Sequence, residues 1–199
     1  MEGIYVYFVT YTITDWLPVF INPEPIQIIV ESMQFCIKEK DLRVNAYIIM
    51  PNHMYIIVFD AKFDNGCLQK TLADFRKFTG HRLANYIDNH MADTMAAVIR
   101  SKRLEDRDRQ VWQPGWQAEG LASGEFWKQK MNYIHENPIR KGYVRRAEHW
   151  RFISRILADR RDWGYTCGQK CALGQRPVQT ENEGDLRSKT GARSETGAN

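Results

Sequence analysis

The sequence predicts an α+β domain built on one antiparallel sheet, with helices packed mainly on one of its faces. Three observations predict it. Short runs rich in Ile, Val, Tyr and Phe occupy Tyr5–Thr14, Leu42–Met50 and His53–Phe59, the composition of buried strands. Two longer stretches, Asn22–Lys38 and Cys67–Ile87, repeat apolar residues at helical spacing instead. The elements follow as strand, helix, strand, strand, helix, strand and a further helix, which suits a two-layer sandwich.

The elements follow in chain order. Tyr5–Thr14 is β-branched and aromatic throughout and opens the sheet. Asp15–Phe20 is a loop carrying Trp16 and Pro18. Asn22 is placed to cap a helix, with Pro23 at its first position and Glu24 near its positive end. Ile26, Ile29, Val30, Met33 and Ile37 form its apolar stripe. Leu42–Met50 and His53–Phe59 form a strand pair about a Pro51-Asn52 turn, and Asp64–Gly66 turns the chain again. In the second helix Leu68, Leu72, Phe75, Thr79, Leu83 and Tyr86 line the buried side. Lys70, Lys77 and His81 share the other side, as a solvated stripe or as contacts to phosphate. Arg100–Arg109 mixes both charge signs and reads as an exposed connection. Gln110–Gln117 carries Trp112, Trp116 and a Pro-Gly turn, consistent with a short strand and its exit. Ser123 caps a third helix expected to run to Asn137 and to stop before Pro138. This order resembles a ferredoxin-like arrangement.

At 199 residues one domain is expected, over 1–173, with 174–199 a disordered tail of Gly, Ser, Thr, Glu and Arg. A hydrophobic fraction of 43% with 12% aromatics excludes a disordered chain, and a net charge of +4 permits a nucleic-acid partner without requiring one. Cys36 and Cys67 read as reduced core thiols. Cys167 and Cys171 have a spacing compatible with metal but no second pair. No apolar run approaches the roughly 18 residues of a membrane span, and no basic flank opens the chain, so the expected location is the cytoplasm.

Two stretches carry chemistry. In Asn45–Asp60 a lone imidazole, His53, opens an apolar strand, and alternation puts His53, Tyr55 and Ile57 on one face. In Phe126–Val144, helical geometry puts Lys130, Tyr133 and Asn137 on one side, bordering a cleft, and His135 on the other. Trp127, Met131 and Ile134 form the adjacent buried stripe. Beyond it, Arg140–Arg161 concentrates Arg140, Lys141, Arg145, Arg146, Arg151, Arg155, Arg160 and Arg161 among Tyr143, Trp150 and Phe152. Charge for phosphates and rings for bases suit single-stranded nucleic acid, and equally an ordinary amphipathic surface.

Met50-Pro51-Asn52-His53 before an apolar strand resembles the metal-binding strand of the HUH single-tyrosine transposases. Tyr133-Ile134-His135-Glu136-Asn137-Pro138, followed by Arg140, Gly142 and Val144, resembles the end of their catalytic helix. The branch most similar is that of the REP-associated tyrosine transposases, akin to the transposases of the smallest insertion sequences. Tyr7-Phe8-Val9-Thr10, Asp74–Thr79 and Val111-Trp112-Gln113 match as well, so the resemblance spans about Tyr5 to Phe152.

The resemblance implies an HUH transposase fold and a metal-dependent DNA strand transferase. A tyrosine hydroxyl attacks a phosphodiester of hairpin-bearing single-stranded DNA, leaving a 5′-phosphotyrosine, with Mg²⁺ or Mn²⁺ on the scissile phosphate. Carried over residue by residue, it makes Tyr133 the nucleophile and His53 and Asn137 metal ligands. With a DNA substrate, the charges read above, Lys70, Lys77, His81, Lys130, Arg140, Lys141, Arg145, Arg146 and Arg151, are the expected DNA contacts. Related enzymes include monomers and homodimers. One departure stands out: Tyr55 occupies the usual second histidine position, and a neutral phenol is a poor metal ligand. Mg²⁺ manages with few protein ligands. The alternative is a domesticated, catalytically weakened protein that binds structured nucleic acid without cutting it. The blandest reading is a structural α+β protein with coincidental motifs.

Overall fold

A computed structural model of the chain describes residues 3–102, 109–115 and 117–154. The 174–199 tail, the limit at 173, Cys167, Cys171, Arg155, Arg160, Arg161, Trp116 and most of the Arg100–Arg109 connection lie outside the described residues. Four strands form one antiparallel sheet: β1 (Tyr7–Thr12), β2 (Leu42–Met50), β3 (His53–Asp60) and β4 (Gln117–Gly120). Their spatial order is β2-β3-β1-β4. The helices are α1 (Pro23–Glu39), α2 (Asn65–His90), α3 (Asp93–Ser101) and α4 (Gly124–Arg140). The split β-α-β arrangement expected from element order is therefore present, with β3 inserted between β1 and β2.

Strand register decides which residues meet. A bulge between Val44 and Ala46 shifts β2 by one residue. Leu42 and Val44 before it, and Tyr47 and Ile49 after it, therefore pack into the same core despite their change of parity. That core also takes Val9, Tyr11, Met54, Ile56 and Val58 from the sheet, Ile26, Ile29 and Met33 from α1, and Leu68, Leu72, Phe75 and Leu83 from α2. Each such aliphatic or aromatic side chain contributes about 1.5–3 kcal/mol by leaving water.

The other sheet face is not bare. Phe8, Ala46, Ile48, Met50 and Ile57 pack there against Met131 and Ile134 of α4. As expected, the described helices pack mainly on one face, α1, α2 and α3 sharing one core, while α4 takes the other. Helical periodicity reports that a helix has an apolar side, not which face of the sheet it meets.

Local signals fare unevenly. Asp64 accepts from the backbone N–H groups of Gly66 (2.8 Å) and Cys67 (3.0 Å), so the expected turn is the cap and first turn of α2. Cys36 is buried, but Cys67, expected in the core, is exposed in that first turn. Asn22 precedes α1 without a side-chain capping bond, its amide donating to Tyr86 Oη instead (3.2 Å). Helix α3 had no legible signal. Arg100 and Arg109, expected merely exposed, both pair with Asp88, at 2.6 and 2.5 Å. The expected strand in Gln110–Gln117 is a single bridge at Trp112 to Ile13, and β4 starts at Gln117.

Helix α4 overruns its expected stop: Pro138 lies inside it. The ring leaves the Ile134 carbonyl without its helical donor, but the end is closed two residues past Arg140. Gly142, at φ 74°, donates to Ile139 O (2.9 Å) and Tyr143 donates to Pro138 O (2.9 Å), the paired bonds of a Schellman motif. The chain then returns beside β2. The Ile49 N–H donates to Phe152 O and the Ser154 N–H to Tyr47 O, both at 3.0 Å, so the open edge of β2 is covered.

Candidate active site

The site lies on the α4 face of the sheet. Cross-strand register sets Thr12 opposite His53 and Thr10 opposite Tyr55 on β1 and β3, and Met50 opposite His53 on β2. Helix α4 packs over β2 and β3, leaving the β1–β4 half of this face open as a groove of about 480 Å³. Phe8, Thr10, Thr12, Gln117 and Glu119 form its floor, with Tyr55, Tyr133 and Lys130 on the α4 side. At the far side Trp112 donates from Nε1 to Thr79 Oγ1 (3.1 Å) and Arg76 donates to Gln113 O (2.5 Å), which ties the groove wall to α2.

Tyr133 is half-buried, and its hydroxyl lies 3.1 Å from that of Tyr55. Tyr55 stands between the expected nucleophile and the expected ligand: its ring centroid is 5.2 Å from Tyr133 and 4.8 Å from His53. Phe8 stacks on Tyr55 at 5.3 Å and meets Tyr133 edge-on at 6.0 Å, so neighbouring rings hold both phenols. Burial, with the bond to Tyr133 adding, pushes the Tyr55 phenol well above the ordinary tyrosine range. It is protonated at neutral pH and adds no charged ligand.

His53 is 6% exposed, and its pKa is lowered to about 4 by burial, with the Lys141 charge adding. It is neutral at pH 7. Its Nδ1 lies 2.7 Å from Asn52 Oδ1. The Asn52 amide nitrogen meanwhile donates to Trp16 O (3.3 Å), which fixes which end of the amide faces the ring. Nδ1 therefore carries the proton, and the Nε2 lone pair is left buried without a partner. Asn137 is also buried, at 3% exposure, with its Oδ1 unpartnered. It was expected to border the cleft beside Tyr133. Instead it sits in the last turn of α4 beyond Ile134, below the surface that Tyr133 reaches.

An imidazole nitrogen and an amide oxygen, each with an unused lone pair, are donor types that a divalent cation accepts. Both are buried, and neither His53 nor Asn137 lines the groove. Among the described residues no three His, Cys, Asp or Glu side chains gather as a self-sufficient metal cluster. His135, on the other side of α4, is buried with Nε2 unpartnered and has its pKa lowered to about 4 by burial.

The expected DNA contacts separate into groups. Lys130 lines the groove but is engaged, 2.5 Å from Glu119 and 4.7 Å above the Phe8 ring. Arg140, Lys141, Arg145, Arg146 and Arg151 are exposed along the end of α4 and the segment after it. Arg140 lies 5.9 Å from the Tyr133 ring centroid, and Arg146 pairs with Glu148. Lys70, Lys77 and His81 are exposed on α2, which packs on the opposite sheet face, and none lines the groove. Of the interleaved rings, Tyr143 is exposed, whereas Trp150 is anchored by its Nε1 donating to Ile49 O (3.0 Å). Sequence reasoning gave Asn52 no contact to His53, placing it only in the turn and in the Met50–His53 motif, and read Trp16 only as a loop residue. A large aromatic in a short loop, and an amide directly before the lone histidine, were the available signals.

The described fold is similar to that of a REP-associated tyrosine transposase. That solved structure, of a REP-associated tyrosine transposase bound to a REP hairpin, aligns over 88% of this chain and 93% of its own at a TM-score of 0.55, with 15% identity. A Deinococcus radiodurans R1 protein provisionally assigned as a transposase aligns over 69% of this chain and 94% of its own with 12% identity. Its TM-score of 0.44 is too low to define a shared fold. No family model and no curated protein matches the sequence. Among the described residues no helix is long and apolar enough to cross a membrane.

Proposed function

We propose that this chain cleaves and rejoins single-stranded DNA at hairpin-ended, REP-like sequences through a 5′-phosphotyrosine on Tyr133. The observation that carries the reading is the hydroxyl of Tyr133, half-buried at an open groove and bonded to Tyr55 at 3.1 Å. The likeness in fold to a hairpin-bound tyrosine transposase supports it. In the step, the Tyr133 oxygen bonds to phosphorus and the bond from phosphorus to the 3′ oxygen breaks. The phenolic proton passes to water in the groove, and the departing oxygen takes a proton as a 3′-hydroxyl. Joining is the reverse, with an incoming 3′-hydroxyl. Tyr55 stays protonated, so it donates to the developing phenolate and does not act as base. His53 Nε2 and Asn137 Oδ1 would hold a Mg²⁺ or Mn²⁺ ion, which supplies Lewis-acid polarisation of the scissile phosphate.

Arg140, Lys141, Arg145, Arg146 and Arg151 are the proposed phosphate contacts, and Lys130 orders the groove through Glu119. Lys70, Lys77 and His81 would meet only DNA that wraps onto the α2 face. The protein is proposed to act in the cytoplasm as a monomer or homodimer. Incubation with a hairpin-ended single strand and Mn²⁺ should yield an adduct that survives denaturing electrophoresis. An adduct persisting in Tyr133→Phe overturns the nucleophile.

A second reading rests on Tyr55 itself. Its hydroxyl is committed to Tyr133, and a second imidazole is missing where the related enzymes have one, so the chain would bind structured single strands and cut them poorly. Hairpin binding with no adduct under any divalent ion supports this reading over the first.

A further inference from the structure

The loop between β1 and α1 holds a large aromatic residue in a conformation that costs it. Asp15 (φ 50°) and Trp16 (φ 57°) are consecutive non-glycine residues in the left-handed region, where an L side chain crowds its own carbonyl. Such strain persists only where surrounding bonds over-determine it. Here they do. The Trp16 N–H donates to Ile13 O (3.0 Å) and Leu17 N–H to Thr14 O (3.2 Å). Thr14 N–H donates to Val111 O (2.7 Å), and Asn52 holds Trp16 O (3.3 Å). Lys102 pairs with Asp15 at 3.3 Å.

The restraint does not bury the ring. Trp16 is 59% exposed, lines the groove, and meets His53 edge-on at 6.3 Å. Packing therefore does not account for the strain, whereas presentation of a ring face does. Below it, the groove floor offers Thr10, Thr12, Gln113 and Gln117. None of these side chains hydrogen-bonds to another described residue. Amides and hydroxyls of both donor and acceptor kind are what the edge of an unpaired base requires. Lys130 and Glu119 pair on one side of the groove and Arg76 lines its α2 wall, whereas the Thr10, Thr12, Gln113 and Gln117 side chains are neutral, which suits a base edge there.

We infer that Trp16 is the stacking platform for one unpaired nucleobase of the single strand, set beside the Tyr133–Tyr55 pair with its edge toward the Thr10, Thr12, Gln113 and Gln117 row. The inference rests on the single-strand reading above and adds a base subsite to it. Asn52 links the two functions, one end of its amide on His53 and the other on Trp16, so seating the base and orienting the imidazole share one residue.

The test uses full-length protein carrying Tyr133→Phe, so that binding is read without cleavage. The probe is a hairpin-ended single strand with 2-aminopurine placed in turn at each unpaired position. One position should show quenching by Trp16. Trp16→Ala should lose roughly 5- to 150-fold in affinity, the range of one base–aromatic stack, and should lose that quenching. Trp16→Phe should keep most of both. Trp16→Gly relieves the left-handed strain, so its thermal midpoint should hold or rise while affinity falls, a divergence that a packing role does not produce. Unchanged affinity in Trp16→Ala with binding otherwise intact overturns the base platform alone. Failure of the parent protein to bind any single strand overturns the single-strand reading, and the platform with it.

Discussion

Replacing Tyr55 by histidine separates the two readings of the site. The change puts a second imidazole two residues after His53 on the same strand face, where ring centroids are 4.8 Å apart. Two contacts bear on its cost. The bond to Tyr133 at 3.1 Å is lost, worth about 0.5–1.5 kcal/mol, toward the low end because both hydroxyls are half-buried and Tyr133 can turn to water. The stack on Phe8 at 5.3 Å shrinks from a phenol to an imidazole, a loss within the roughly 0.5–1.5 kcal/mol of an aromatic pair. The metal-free variant should therefore melt lower by about 1–2 kcal/mol, or roughly 2–8 °C for a domain of this size. Mn²⁺ should more than restore it. If the added imidazole tightens binding by at least about tenfold, saturating metal returns about 2.7 kcal/mol at a hundred times Kd. The assay is a thermal melt with and without Mn²⁺, beside calorimetric titration of both proteins. Equal Mn²⁺ affinities for the two proteins would refute the argument that Tyr55 occupies a ligand position.

Three further outcomes are expected. Burial lowers the pKa of both His53 and His135 to about 4, so the unfolded chain takes up their protons first as pH falls. Their neutral-state stabilisation, on the order of 3 kcal/mol each, is complete above about pH 6.5 and is lost toward pH 4; urea midpoints at pH 8, 6 and 4 should fall in that order. Asn52→Ala frees the His53 tautomer and should weaken Mn²⁺ binding about 10–100-fold in titration calorimetry while the far-UV spectrum stays native. Gly142→Ala meets no atom within 4 Å, so its cost of about 1 kcal/mol is backbone strain at φ 74° alone, read as a lower denaturation midpoint.

By itself the sequence determined the first three strands and the turn between β2 and β3. Leu42–Met50 and His53–Phe59, one residue short of the observed β3, are legible because β-branched runs about a Pro-Asn pair have few alternatives. It also determined that His53 and Tyr55 share a strand face, and that Tyr133 sits on a capped helix, because periods of 2 and 3.6 act over a few residues. Only the tertiary structure decided that α4 takes the sheet face opposite α1 and α2, that Asn137 sinks while Tyr133 stays at the groove, and that Pro138 is carried through to the Gly142 end. Those outcomes depend on contacts between residues far apart in the chain, such as Tyr55 with Tyr133 and Trp16 with Asn52. Local periodicity holds no information about which distant surface a side chain will meet.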